Sequence, residues 1–449
     1  MAIHGWRVGV VFAALAVTGW LAITAHGGEW KKASSSQGDQ PQSTSRSAKV
    51  PSQPAPPPAE GSTMQPADSP SRWDSQEMWE ESYPPGPIYG PGLGLACGGW
   101  YADFEALFWW RSGQDIPALV TTSDDGTPQA NAGVLGLPTT TVLLGNHKIT
   151  DENRMGGRVS VGTWFDPYQV NGAVIRFFSL KDDQASYRYS TDDYSILGRP
   201  FFNVSTSAED ARLVGYPGIS TGWIEVDARS DFAAGDVVLR MMLTQGNCWR
   251  LDLIGGYQMA RIDESLRIRD ELTSTDTAGN IPVGTRIAVE DYFATRNQYH
   301  AGVVGAIWEY DRGTGALSVR ASVGLGNMRE EVTIRGQTTT TPPAGVATTV
   351  DSGFLTQPSN IGTYVQNEFA AVPELAIRAR WYLSDHLAIS AGYNFIYYSK
   401  VVRPGEQIDR VLNLTQVPGP IVGDSRPAFS FQSGSLFLHG LTVGLHAEF

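Results

Sequence analysis

Charge is scarce in this 449-residue chain: Asp, Glu, Lys and Arg make up 18% of it, against roughly 25% in soluble domains. The formal net charge is -13, so the basic face that nucleic acid or an anionic membrane surface demands is missing. Cysteine is nearly absent. Cys97 and Cys248 are too few for a disulfide scaffold and lack metal-site spacing. A single bridge between them and two separate thiols are both compatible with an oxidising compartment. No H-E-x-x-H or other metal pattern occurs, and His147, His300, His386, His439 and His446 read as scattered positions. Nothing in the chain calls for a cofactor. Long apolar runs are also lacking after the N-terminus, which excludes a later membrane helix of about 20 residues. What the chain has in quantity is Gly, 49 residues, and aromatics, 10%, with 13 Trp. Few charges with many Gly and aromatics suit a β protein in an unusual solvent.

Arg7, the apolar stretch from Val8 to Thr24 and the small Ala25 before "HGGEWKK" form an export signal. The expectation is a signal peptide over 1–25, cleaved after Ala25, with an uncleaved anchor as the alternative. Residues 26–96 are rich in Pro, Ser and Gln, as in "SSSQGDQPQSTSRSAKVPSQPAPPPAEG". Such a segment buries too little apolar area to offset its ordering entropy and reads as a disordered linker.

From 97 to 449 the chain resolves into ten alternating segments of roughly the 9 to 11 residues a tilted membrane strand needs, some longer. In "GWYADFEALFWW", Trp100, Phe104, Ala106, Phe108 and Trp110 share one face, and Asp103 and Glu105 the other. The others begin at Arg154, Val170, Asp236, Trp249, Gln298, Leu317, Phe369 and Leu387, and the tenth is the C-terminal "LFLHGLTVGLHAEF". Short links such as "DPYQ", "TQGNC", "DRGTG" and "SDH" alternate with long ones: 111–153, 181–235, 261–297, 327–368 and 399–435. One isolated strand of this kind also fits a soluble sheet edge, but a soluble sandwich has no reason to gather every long loop at one end. The predicted fold is all-β: a closed antiparallel outer-membrane barrel of ten strands, or up to fourteen if 202–216 or 331–336 hold further strands. Short periplasmic turns and long extracellular loops are its signature. Leu441, Val443, Leu445 and Phe449 then close the barrel against the first strand. This terminal aromatic strand resembles the signal that barrel-assembly machinery reads, so that machinery and outer-membrane lipid are expected partners.

The opposite faces place Arg154, Arg158, Arg176, Arg240, Arg250, Arg320, Arg378, Arg380, Asp103, Glu105, Asp236, Asp252 and Glu374 in the lumen. Eight Arg against five acids make a basic interior within an acidic protein. Either the lumen is wet and its Arg excess selects anions, or Arg and carboxylates pair into a network that plugs a narrow barrel. Ten strands lie near the filled end of the size range.

"GISTG" at 218–222 matches the nucleophile-elbow pattern, but Pro217 precedes it in a long loop and no helix follows. No catalytic residue is therefore assigned. "TTSDDGTPQ", "YSTDDYS" and "DELTSTDTAGN" offer carboxylates to a cation but lack the EF-hand spacing, and read as solvated loops.

"FAAVPELAIRARWYL" followed by "GYNFIYYSKVVRPGEQIDR" resembles the Putative beta barrel porin-7 family of bacterial outer-membrane proteins, from about Cys97 to Phe449. "VVRPGEQID" is its most specific stretch; "RLDLIGGYQ" and "RNQYHAGVVGA" agree with it. The resemblance implies an outer-membrane barrel and supplies no catalytic residues. The functional expectation is a narrow or conditional pore for small solutes or ions, its selectivity set by lumen Arg, with the linker on the periplasmic side. The rivals are a non-conducting barrel acting through its extracellular loops and, more remotely, an outer-membrane hydrolase.

Overall fold

The computed structural model describes residues 99–416 and 419–449. The expected signal peptide and linker and Cys97 lie outside them, so the choice between a Cys97–Cys248 bridge and two separate thiols does too; Cys248 is half-buried in a turn. Ten long strands form a ring: β1 (Trp100–Arg111), β2 (Asn153–Trp164), β3 (Asn171–Ser190), β4 (Ser220–Gln245), β5 (Trp249–Ser274), β6 (Arg286–Asp311), β7 (Gly315–Thr341), β8 (Gly362–Ser384), β9 (Leu387–Val402) and β10 (Ser433–Glu448). Each pairs antiparallel with its chain neighbour, and β1 pairs with β10 from Tyr101↔Glu448 to Arg111↔Leu438. Across that seam Leu441, Val443 and Leu445 stand opposite Phe108, Ala106 and Phe104. The Phe449 amide donates to the Trp100 carbonyl at 2.8 Å. A closed ring leaves no open sheet edge, which hydrocarbon requires.

Links 165–170, 246–248, 312–314 and 385–386 are short and lie at one end; 112–152, 191–219, 275–285, 342–361 and 403–432 lie at the other. Four of these long loops are shorter than the sequence suggested, because their strands continue past the apolar band. On β5 the outward residues Trp249, Leu251, Leu253, Tyr257 and Met259 give way to Arg261, Asp263, Ser265, Arg267 and Arg269. The inward side reverses the order: Arg250, Asp252 and Gln258 are followed by Ile262, Leu266 and Ile268. One unbroken register thus serves two solvents. The stretch Trp249–Met259 has the length of a tilted membrane strand; beyond it the wall stands in water around an apolar core. The segment 331–336 belongs to this upper part of β7, so it adds no strand to the ring.

Parts of four of the long loops, all but 275–285, fill that upper bore. Val120–Ser123, Thr140–Leu144, Leu197–Asn203, Ala208–Gly215 and Val411–Leu412 form a five-stranded sheet separate from the ring. The stretch 202–216 is therefore part of a cap and not of the barrel wall. Leu119, Val120, Leu197, Phe201, Val214 and Leu412 of the cap pack against Ile224, Val226, Leu266, Ile268, Phe293 and Val332 of the wall.

Candidate functional site

The lumen is built in layers, and the alternation that faces apolar side chains to lipid delivers every inward group. At the short-turn mouth Arg240 contacts Asp252 and donates to Glu309 at 2.5 Å. Arg250 reaches Asp252 at 2.6 Å, Arg380 reaches Glu309 at 2.8 Å, and Arg240 and Arg250 both lie over the Trp164 ring. His446 bridges Asp103 at 2.9 Å and Glu448 at 3.0 Å. A small cavity of about 130 Å³, lined among others by Tyr101, Trp164, Arg320 and Tyr382, opens here.

One step further in, Arg378 spans Asp103 at 3.3 Å and Glu105 at 3.0 Å. Arg158 meets Glu105 at 3.3 Å and donates twice to Asn394 at 3.0 Å. Arg176 is clamped between Asp236 and Glu374, each at 2.5 Å, and Arg320 joins Asp236 at 3.3 Å. The layer is held chiefly by charge: Asp236 Oδ1, Arg158 Nε and Arg320 Nε have no hydrogen-bond partner, so breaking any one pair would leave a costly buried charge.

Above the ionic layers lies an apolar one. Trp109, Phe178, Phe232, Tyr299, Met328 and Tyr398 are each at most 1% exposed. Their rings form a chain: Trp109 to Phe178 at 5.5 Å, Phe178 to Phe232 at 5.7 Å, Phe232 to Tyr398 at 6.0 Å, and Tyr398 to Tyr299 at 6.0 Å. Phe232 is on β4 and Tyr398 on β9, five strands apart in a ring of ten. Their contact therefore crosses the bore on its diameter.

A second polar layer seals the top of this plug. Arg111 and Arg403 share Glu264, Arg111 at 2.5 Å and Arg403 through two bonds of 3.0 and 3.1 Å. Arg403 also donates to the Ser112 and Gly113 carbonyls at 2.9 and 2.7 Å. Burial by itself would raise the Glu264 carboxyl, but the two guanidiniums outweigh it and hold it at about 2. The turn Pro404–Gln407, which follows Arg403, lies in the bore; the Gly405 amide donates to Gln114 Oε1 at 3.1 Å. Asn297 exchanges two hydrogen bonds with the Val402 backbone at 2.8 and 2.9 Å. Arg154 pairs with Asp183 at 2.6 Å. Higher still, Arg199 of the cap bonds Asp270 at 2.8 Å on β5 and Asp291 at 2.6 Å on β6.

All thirteen charged lumen residues read from the sequence point inward, but the basic excess largely disappears. Asp183 and Glu309 face the eight Arg as well, giving seven carboxylates. Glu309 lies one residue beyond the expected end of its strand, and Asp183 and Glu264 lie in segments taken for loops. Ser220 opens β4 in strand conformation, its hydroxyl buried without a hydrogen bond, so "GISTG" is not a strand-to-helix elbow. The acidic pieces "TTSDDGTPQ" and "YSTDDYS" meet through Asp125 and Ser195. Among the described residues no group of three or more His, Cys, Asp or Glu has metal-holding geometry.

A family model described as Putative beta barrel porin-7 matches residues 101–449. No curated protein sequence matches the chain. Among solved structures, the chain is similar to the outer membrane protease OmpT from Escherichia coli, with 10% identity, 78% of this chain and 97% of that one covered, and a TM-score of 0.37. It is similar to the translocator domain of the autotransporter NalP from Neisseria meningitidis, with 10% identity, coverage of 80% and 91%, and a TM-score of 0.26. A Pseudomonas aeruginosa FadL homologue shows 7% identity, coverage of 79% and 90%, and a TM-score of 0.22.

Proposed function

The chain belongs to the Putative beta barrel porin-7 family of outer-membrane β-barrels, and from that premise we propose that it is a non-enzymatic barrel, closed to solutes as folded, that carries a rigid recognition cap on the cell surface. The observation that carries this reading is the Phe232–Tyr398 contact across the diameter of the bore, within a layer that excludes solvent. The lumen Arg side chains serve closure: each is bound to a carboxylate, and an ion entering the filter would have to break such a pair in a low-dielectric interior. The short turns face the periplasm and the long loops the exterior, so the linker that precedes Trp100 lies on the periplasmic side.

A conditional pore is the second reading, favoured by the cavity at the periplasmic mouth. It requires the Arg403–Gln407 turn to leave the bore and the Phe232–Tyr398 contact beneath it to part. Conductance of the purified, folded protein in a planar bilayer separates the two. The closed barrel gives no discrete steps. Anion-selective steps whose selectivity weakens in Arg158→Ala and Arg378→Ala would overturn closure and reinstate the Arg-lined filter.

A further inference from the structure

His439 is the one ionisable residue in the outward run of β10 from Phe437 to Phe449. Ionisable groups facing hydrocarbon are costly and mark sites. The His439 ring stacks with Trp110 and Phe437, each centroid 5.9 Å away, and its Nδ1 lies 2.8 Å from the Tyr393 hydroxyl. Nε2 has no hydrogen-bond partner among the described residues. These four residues form the floor of a groove of about 510 Å³ on the outer wall. Its rim is Arg111, Ser112, Gly113, Lys148 and Asp151, the Arg111 guanidinium being turned inward to Glu264.

The rim stands low because the wall is low here. β1 stops at Arg111, whereas β5 continues to Ser274, well past the apolar band. The loop strand His147–Ile149, paired with Gln114–Ile116 apart from the five-stranded cap, therefore sits just above the aromatic belt, at the level of lipid headgroups. The Lys148 side chain is 56% exposed and its ion pair with the 64% exposed Asp115 is long, 3.7 Å, a contact of little strength. Gly113 keeps the rim open. A Cβ there would lie 2.9 Å from the Lys148 Cβ and 3.1 Å from the Asp151 Cβ.

We propose that this groove binds one outer-leaflet lipid through a phosphorylated headgroup, whose oxygens accept from Lys148 Nζ and His439 Nε2 while the hydrocarbon lies on Trp110, Tyr393 and Phe437. The vertical order of the groove is that of an amphiphile: aromatic floor, polar imidazole, cationic rim. Asp151 on the same rim opposes further negative charge, so the site takes a single phosphate and not a polyanion. The proposal needs only that the outer wall face lipid, and it stands whether or not the barrel conducts.

The test is native mass spectrometry of the intact protein released from detergent micelles containing dioleoyl phosphatidic acid or, for comparison, dioleoylglycerol. The expected result is one phosphatidic acid retained per barrel where dioleoylglycerol is lost. Lys148→Glu and His439→Leu should each lower retention about tenfold, the loss of one charge-assisted hydrogen bond. His300→Leu, which removes the other outward His bonded to a Tyr, should leave retention unchanged. Heat-modifiable gel mobility verifies that each variant is folded. Equal retention of the two lipids, or wild-type retention by folded Lys148→Glu and His439→Leu, overturns the site. Displacement of the phosphatidic acid by inorganic phosphate alone assigns the site to free phosphate and overturns the lipid.

Discussion

Replacing Glu264 by Gln isolates the top of the plug. The carboxylate is the common partner of Arg111 and Arg403, and all three side chains are at most 2% exposed. The isosteric amide leaves two buried guanidiniums without a counter-charge, and removing one partner from a buried pair costs roughly 3–5 kcal/mol. Proton linkage gives an independent figure. The carboxyl is held at about 2 in the folded protein against an ordinary 4.5, and a difference of that size corresponds to about 3 kcal/mol. Because the folded value is depressed, this stabilisation is fully present above the unfolded value. It is lost as pH falls from about 4.5 towards 2. The assay is protease protection of 403–432 in the folded, detergent-solubilised barrel, with urea titrations at pH 7 and at pH 3. At pH 7 Glu264→Gln should expose the segment at markedly lower urea than wild type, and the gap should narrow at pH 3, where wild type has lost part of the same interaction. A variant whose protection matches wild type at pH 7 to within about 0.5 kcal/mol, the range of ordinary surface changes, would refute the role of the Arg111–Glu264–Arg403 layer in holding this segment and the cost assigned to its buried charges.

Three further outcomes follow from the same packing. Gly405→Ala should unseat the turn in the bore, because its Cβ would lie 2.4 Å from the Asp115 carbonyl; overpacking of this kind costs roughly 1–3 kcal/mol and is read as earlier proteolysis of 403–432. Arg199→Met leaves the buried Asp291 without its cation beneath the cap, while Asp270 keeps Arg212, so hydrogen exchange in 197–215 should accelerate by about two orders of magnitude, the effect of roughly 3 kcal/mol, while the membrane portions of β4 and β5 stay protected. Deleting Phe449 removes one seam hydrogen bond; if the terminal aromatic is read by assembly machinery, the yield of folded barrel in cells should fall much more than its stability after refolding in detergent, and equal losses in both would limit Phe449 to a structural role.

The membrane portion of this fold is plain in the sequence because lipid imposes one rule on every strand: apolar outward, polar inward. The upper half obeys the opposite rule on the same strands. "RIDESLRIRDEL" alternates as strictly as "WRLDLIGGYQMA", but Arg261, Asp263, Arg267 and Arg269 face outward to water while Ile262, Leu266 and Ile268, together with the ion-paired Glu264 and Asp270, face inward, so a search for an apolar outward face stops at Arg261. That inversion explains the loops taken as too long and leaves Asp183 and Glu264 uncounted, whereas Glu309 is missed at the other end, one residue past its expected strand. It also bears on function. The chain segment most specific to the family, "VVRPGEQID", is visible in the sequence, yet its role depends on Glu264, which lies 139 residues away in β5 and within the region the inversion hides. Arg176 and Glu374, Arg240 and Glu309, and Arg320 and Asp236 likewise belong to strands that are not neighbours in the ring. Periodicity along one strand fixes which side chains enter the lumen; which carboxylate each of their charges meets is decided by partners on other strands.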